Sequence, residues 1–152
     1  MDRIDKKILN LLQHDGKMNN QDLAKQVALS PSPCLRRVKQ LEKEGYIEKY
    51  VALLNPQKLG LELTIIVSVG LRTHDAAVMA GFAEKMRIFP EVVQCYLVAG
   101  QEQDYILNVI VPNLDVYHSF LLKKLTQIEG VRNIHSAFVL DRIVDQTALP
   151  VK

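Results

Sequence analysis

The chain has 152 residues, of which 48% are hydrophobic and 24% are charged, and its formal net charge is +2. This composition excludes a disordered chain, and no apolar run reaches the roughly 20 residues that a membrane-spanning helix requires. Only two cysteines occur, so we expect reduced thiols and no disulfide framework. The sequence therefore predicts a folded, cytoplasmic protein of one ordinary domain or two small ones.

The charge is spread unevenly along the chain. Residues 1–60 carry eleven Lys and Arg against seven Asp and Glu, whereas residues 61–152 carry eight against ten. A basic N-terminal part is typical of proteins that bind nucleic acid, although ordinary solubilising lysines can give the same imbalance.

Three helices are predicted within the first 45 residues. Asp2 can cap the first helix, in which apolar residues recur at helical spacing: Ile4, Ile8, Leu11 and Leu12. Asn19 or Asn20 can cap a short second helix, and a tight turn at residues 28–29 leads into the third. This arrangement predicts a helix-turn-helix unit, in which the last helix enters the major groove of DNA.

The third helix begins with residue types that favour a helix start and ends with a stop signal. We expect Ser30 to cap it through its hydroxyl, Pro31 to fit its first position, and Gly45 to end it. Its predicted packing side gathers Leu35, Val38 and Leu41. The opposite side and its flanks supply the predicted DNA contacts: Ser30, Ser32, Pro33, Arg36, Arg37, Lys39, Gln40 and Lys43. Arg and Gln can read base edges and Lys can hold phosphates, while a merely solvated basic face is the alternative.

Residues 46–54 are rich in strand-forming types, and we interpret them as a wing followed by a linker. The predicted organisation is a winged helix-turn-helix DNA-binding domain at 1–50, a linker at 51–60, a second domain at 61–142, and a C-terminal tail at 143–152.

From residue 62 the apolar pattern alternates, which predicts a strand with four residues on one side: Ile65, Val67, Val69 and Leu71. A helix at 76–89 follows, then two strands at 92–99 and 105–111 that form a hairpin. A second helix at 114–128, defined by Leu114, Tyr117, Leu121, Leu125 and Ile128, precedes a strand at 131–140. The order βαββαβ predicts a ferredoxin-like domain, so the chain as a whole is of the α+β class. Both helices cover one face of the sheet, and a second copy of the domain is the simplest cover for the other face.

Short motifs along the whole chain resemble the Lrp/AsnC family of feast/famine regulators. In the N-terminal part these are the Asp2–Leu9 pattern, Leu29-Ser30-Pro31-Ser32-Pro33, Arg37-Val38, Leu41-Glu42 and Leu59-Gly60; in the C-terminal part they are Pro90-Glu91-Val92, Cys95-Tyr96, Asp104-Tyr105 and Gly130-Val131. The resemblance implies a transcription regulator that binds double-stranded DNA. It also implies a C-terminal domain that dimerises through its sheet, assembles into octamers or similar rings, and binds an amino acid.

The resemblance implies an effector pocket between subunits, near the loop that connects the two hairpin strands. The expected effector contacts are Gly100, Gln101, Glu102, Gln103, Asp104, Tyr105 and Ser136. Asp104 can hold the ligand's ammonium and the loop backbone its carboxylate, whereas the alternative is that Asp104 only closes the hairpin turn. Three residues separate Gly100 from Asp104, one more than the family usually has. The tail resembles members that answer to branched-chain or other hydrophobic amino acids.

No nucleophile elbow, phosphate-binding loop or paired-carboxylate motif occurs, so we expect neither enzymatic activity nor a cofactor. The four histidines have no ligand-like spacing, and we expect no metal. The predicted function is a DNA-binding regulator whose assembly and DNA affinity respond to an amino acid. An architectural DNA-binding protein without a small-molecule effector is the alternative, and a small ferredoxin-like enzyme is a third, less favoured one.

Overall fold

The computed structural model describes residues 1–100 and 102–151. They divide into two compact units, an N-terminal unit of Met1–Leu53 with Ile143–Lys152 and a C-terminal unit of Leu54–Arg142. The sequence prediction separated a linker at 51–60 and an independent tail at 143–152, whereas the structure groups the tail with the N-terminal unit. None of the described helices is long and apolar enough to cross a bilayer.

Three helices form the N-terminal unit: α1 (Arg3–His14), α2 (Asn20–Gln26) and α3 (Pro31–Lys43). The Asp2 carboxylate accepts hydrogen bonds from the Ile4 and Asp5 backbone N–H groups, and the Asp5 carboxylate accepts one from the Asp2 N–H in return. Asn19 caps α2 by accepting from the Asp22 N–H. The helices enclose one apolar core: Ile8, Leu12, Leu23, Ala24, Val27, Cys34 and Leu41. The predicted three-helix unit is confirmed.

The ends of α3 are built differently from one another. Ser30 occupies the N-cap position, but its hydroxyl makes no capping bond, so that part of the prediction is wrong. The physical reason is that Pro31 and Pro33 have no N–H, which leaves few donors in the first turn to be capped. At the other end, Gly45 has a φ of +78°, and the Tyr46 N–H returns to the Leu41 carbonyl at 2.9 Å. This is the Schellman arrangement that glycine favours.

The packing side of α3 differs from the predicted one by one residue. Cys34 is fully buried, whereas Leu35 is 43% exposed. Cys34, Val38 and Leu41 are spaced by four and then three residues, so they share one stripe and pack on the core. The expectation that Leu35 packs is wrong, and Cys34 takes its place in the core as a small buried apolar residue.

Residues 46–54, all of which the structure describes, contain no strand, so the predicted wing strand is not formed in this chain. A strand needs a neighbour for its backbone hydrogen bonds, and all the described strands belong to the C-terminal unit. The segment is attached to the N-terminal unit in another way: Ile47 packs against the helical core and the Tyr50 hydroxyl donates to Glu42 at 3.0 Å.

The C-terminal tail is attached to α1 by a two-bond amide contact. The Gln13 side-chain amide donates to the Leu149 carbonyl at 2.9 Å and accepts from the Leu149 N–H at 2.8 Å. Because the contact uses main-chain groups of the tail, it does not depend on the side chain at residue 149.

The C-terminal unit contains β1 (Leu63–Leu71), α4 (Ala76–Ile88), β2 (Val92–Leu97), β3 (Tyr105–Val111), α5 (Leu114–Lys123) and β4 (Val131–Phe138). The strands form one antiparallel sheet in the order β2-β3-β1-β4. The predicted βαββαβ order and the ferredoxin-like fold are confirmed.

One face of the sheet carries the core of the C-terminal unit. Ile65, Val67 and Val69 of β1 are fully buried, and they pair with Val109, Leu107 and Tyr105 of β3 on the same face. Phe82 of α4 and Phe120 of α5 pack against this face. The alternation predicted for β1 is therefore confirmed.

The second predicted helix is shorter than expected. α5 ends at Lys123, and residues Leu125–Gln127 form a separate 3₁₀ turn. Leu114, one of the five residues that define the predicted helix, is 57% exposed, whereas Phe120, which was not among them, is buried in the core. Lys124 has a φ of −120°, which interrupts the α-helix and lets Leu125 enter the core from the 3₁₀ turn.

Neither α4 nor α5 covers the opposite face of the sheet, which carries both apolar and polar residues. Ile66 and Ile106 lie there together with Ser68, Asn108 and His135, and Tyr96 of β2 is 52% exposed. We call it the open face.

We predict that Gly130→Ala destabilises the C-terminal unit by roughly 2 kcal/mol or more. Gly130 has a φ of +87°, which is strained for any residue with a Cβ, and that Cβ would collide with the Val78 side chain. Gly81→Ala in α4 is the matched control, because nothing lies within 4 Å of a Cβ there. In urea unfolding, the free energy of unfolding of the control should be about 0.5–1 kcal/mol higher than that of wild type. Equal stability of both variants would contradict the prediction.

Candidate DNA-binding surface and effector site

The exposed side of α3 presents most of the residues predicted to contact DNA. Ser30, Ser32, Arg36, Lys39, Gln40 and Lys43 are exposed, and Pro33 is half-buried. The helix N-terminus therefore offers hydroxyls, and the following turns offer guanidinium, amide and ammonium groups. These are the groups that read base edges and hold phosphates in a major groove.

Arg37 has an internal role that the sequence pattern did not reveal. Its Nη1 atom donates to Asp2 Oδ2 and to Asp5 Oδ1, both at 2.7 Å. The two carboxylates raise the pKa of the guanidinium, Asp5 most strongly, while the Asp5 backbone N–H and then Arg37 lower the pKa of Asp2. Arg37 thus joins α3 to the start of α1 and restrains the orientation of α3.

Gln40 is also engaged within the chain. Its amide donates to Glu44 Oε1 at 2.5 Å, one turn further along α3. Glu44 holds the amide at the surface in one orientation, and an adenine edge would have to replace that partner.

Asp104 connects the hairpin loop to the end of β1. Its Oδ2 accepts the Leu71 N–H at 2.7 Å, its Oδ1 lies 2.6 Å from His74 Nε2, and its own N–H donates to the Val69 carbonyl. The Leu71 hydrogen bond, followed by His74, lowers the pKa of the carboxyl group. The structure therefore shows Asp104 as a tie between the loop and the neighbouring strand, and both its oxygens already accept hydrogen bonds.

The remaining loop residues lie at the same end of the sheet. Gly100 has a φ of +89°, and the Glu102 carbonyl accepts from Arg132 Nη2 at 3.2 Å. Gln101 lies outside the residues that the structure describes. The Gln103 side chain is directed to Gly70, where an added Cβ would stand 3.0 Å from its Oε1 atom.

A polar cluster that the sequence analysis missed surrounds Gly70 at the end of the open face. The side chains of Asn133, Gln103 and Arg132 all approach the position of a Gly70 Cβ. Within the described residues, Gln103 Oε1 and Asn133 Oδ1 are buried oxygens without a hydrogen-bond donor. Buried acceptors without a donor are costly, so each of them requires an explanation such as a bound water, an ion or a ligand. The only sequence signal was a glycine near the end of an apolar strand.

Tyr105 and Ser136 are not part of this cluster. Tyr105 is buried on the helix-covered face, where its ring lies 4.5 Å from that of Phe82. Ser136 is on that face too, and its hydroxyl lies 2.5 Å from the Tyr117 hydroxyl. Both residues therefore contact core side chains in this chain, on the face opposite to the Gly70 cluster.

Both units of the chain match known protein families. Residues 1–48 match a winged helix-turn-helix DNA-binding family, and residues 64–149 match the Lrp/AsnC ligand binding domain. The chain belongs to the Lrp/AsnC family. It is thus a DNA-binding transcriptional regulator with a ligand-binding domain, and the winged helix-turn-helix class holds although this chain forms no wing strand.

Individual relatives match along nearly their whole length. The leucine-responsive regulatory proteins of Escherichia coli K12 and Klebsiella pneumoniae are each 38% identical over 152 residues, which is 100% of this chain and 92% of theirs. A transcriptional regulator from Neisseria meningitidis, solved as a complex with L-methionine, is 39% identical with a TM-score of 0.94 and covers 99% of this chain and 96% of its own. An AsnC family regulator from Agrobacterium tumefaciens is 41% identical, with a TM-score of 0.92 and coverages of 99% and 97%.

We predict that Asp104 stabilises the C-terminal unit in a pH-dependent way. Because folding lowers its pKa below the ordinary 3.8, the stabilisation is complete above that value and is lost as the pH falls through the folded-state pKa. In urea unfolding, Asp104→Asn should therefore have a lower free energy of unfolding than wild type near neutral pH, and the difference should shrink on acidification. Asp141→Asn, on an exposed segment, is the control and should match wild type throughout. A loss of stability that does not change with pH would contradict a stabilising role of the ionised Asp104 carboxylate.

Proposed function

We propose that this regulator binds duplex DNA through the exposed side of α3 and reads bases with Arg36 and Gln40. The support is the position of both side chains on one exposed stripe, next to Lys39 and Lys43. Arg37, which is held by Asp2 and Asp5, orients the helix in this proposal. The protein then acts in the cytoplasm, where a regulator reaches the chromosome.

Arg36→Ala should cost about 1–3 kcal/mol on a specific duplex and relax base preference there. Lys43→Ala is the matched control from the same helix side; it should weaken all duplexes about equally and reduce the salt dependence of binding. Fluorescence titration on a selected and a scrambled duplex, at two salt concentrations, separates the two effects. Equal losses on both duplexes for Arg36→Ala would remove its base-reading role.

We further propose that an amino acid binds at the Gly70 cluster and that its binding biases self-association and DNA affinity. The observation that carries this proposal is the pair of donorless oxygens, Gln103 Oε1 and Asn133 Oδ1, beside the Arg132 guanidinium. An α-amino acid brings an ammonium for the two oxygens and a carboxylate for the guanidinium. Asp104 holds the loop in place instead of contacting the ammonium. The L-methionine complex of the Neisseria regulator supports this ligand class.

The open face supports the assembly part of the proposal. It carries Ile66, Ile106 and the half-exposed Tyr96 but no helix, and a second copy of the same face can cover it symmetrically. The Gly70 cluster lies at the end of this face, so a ligand there contacts the region in which the two copies meet. We extend the proposal to dimers and to a ring of dimers such as an octamer.

Asn133→Ala should weaken amino-acid binding at least 10-fold, because it removes one of the two oxygens proposed for the ammonium. A thermal-shift panel of the twenty amino acids first identifies the best ligand, since binding to the native state raises its stability. Calorimetry then compares wild type, Asn133→Ala and Asn108→Ala, which removes an amide from the same face away from the cluster. DNA binding without ligand should be equal in all three.

Two outcomes would count against the effector proposal. Unchanged affinity in Asn133→Ala would remove the Gly70 cluster as the site. A panel in which no amino acid shifts the melting temperature would favour an architectural DNA-binding protein. Light scattering with and without the best ligand tests the assembly step separately.

A further inference from the structure

A groove of about 750 Å³ lies between α4 and the segment that runs from the end of α5 to Glu129. We call it the α4–α5 groove. Its apolar lining consists of Ala77, Val78, Phe82, Phe89 and Ile128, and its ammonium groups come from Lys85, Lys123 and Lys124. The volume and the apolar lining with a few charged groups are those of small-molecule sites. Gly70, Gln103, Arg132 and Asn133 do not line it, so it is separate from the proposed amino-acid site.

Gly81 points to an external occupant of this groove. It lies in the middle of α4, where glycine costs roughly 0.5–1 kcal/mol relative to alanine. Neither a left-handed φ nor a close neighbour requires a glycine there, because no described atom lies within 4 Å of a Cβ at this position. The missing side chain leaves the wall of the groove open beside Phe82.

The charged side chains of the groove favour an anionic ligand. Lys124 is already paired with Glu91 at 2.6 Å and lies 5.4 Å from the centroid of the Phe89 ring. Lys85 and Lys123 take part in none of the ion pairs found among the described residues. Glu129 is the one carboxylate among the described lining residues. The excess of ammonium groups disfavours a ligand that carries an ammonium of its own.

We propose that the α4–α5 groove binds a monocarboxylate with an apolar chain. The chain packs against Phe82 and Phe89 beside Gly81, and the carboxylate accepts hydrogen bonds from Lys85 and Lys123. The regulator then has a second ligand site, of a different chemical class from the amino-acid site.

Calorimetry of the full chain with sodium octanoate tests this assignment, with 1-octanol and octylammonium chloride as probes of the same chain length. Octanoate should bind one site per chain, more weakly at high salt, and the two control probes should bind at least 10-fold more weakly. Lys85→Gln and Lys123→Gln should each weaken octanoate binding roughly 5-fold. Arg87→Gln, a charge loss on the same helix outside the groove, should leave it unchanged.

Gly81→Leu places a side chain inside the groove and should abolish octanoate binding. The variant should keep the helical circular dichroism and the amino-acid response of wild type. Equal binding of all three probes, or octanoate binding that survives both Lys85→Gln and Gly81→Leu, would overturn the proposal. Light scattering shows whether Gly81→Leu changes the oligomeric state. If it does, and wild type does not bind octanoate, the groove is a protein contact instead of a ligand site. If wild type responded to no amino acid, that result would count against the proposed function and not against the groove proposal.

Discussion

The central position of β1 is the constraint on which the C-terminal unit depends. β1 pairs with β3 on one side and β4 on the other, so its buried residues must fit under both helices. Its end also determines where polar groups gather, because the Leu71 N–H holds the Asp104 carboxylate and Gly70 leaves room for Asn133. A shift of one residue in the pairing of β1 would exchange its two faces and remove both features.

Elements defined by a local pattern were predictable from the sequence, and those defined by distant partners were not. The alternation of β1 and the Asp2 cap of α1 require only neighbouring residues, and both are present in the structure. The shortened α5 and the missing wing strand depend on what packs beside them. Leu35 shows the same limit on a small scale, because a helical stripe one residue away fits the core better.

The candidate sites follow the same division. The exposed side of α3 was visible as a periodic set of polar residues, since a helix face repeats along the sequence. The ion pairs of Arg37 join it to Asp2 and Asp5, more than 30 positions away. Arg132 and Asn133 approach Gly70 across a separation that is also larger than 30 positions. Folding alone brings such groups together, so the orienting role of Arg37 had no local sequence signal, and the Gly70 cluster had none besides the glycine itself.

The position of the Gly70 cluster gives the proposed switch a physical basis. A ligand changes an assembly equilibrium only by the difference between its affinities for the two states, typically about 1–3 kcal/mol. In the proposed switch, an amino acid at the end of the open face supplies donors to Gln103 Oε1 and Asn133 Oδ1, which are buried without donors in the single chain, and it also contacts the second copy that covers the face. The contact with the second copy exists only in the covered state, so the ligand has a higher affinity for that state and favours it. Burial of the open face and ligand binding are then one coupled event, and the recognition helices of two copies are brought together by the same equilibrium.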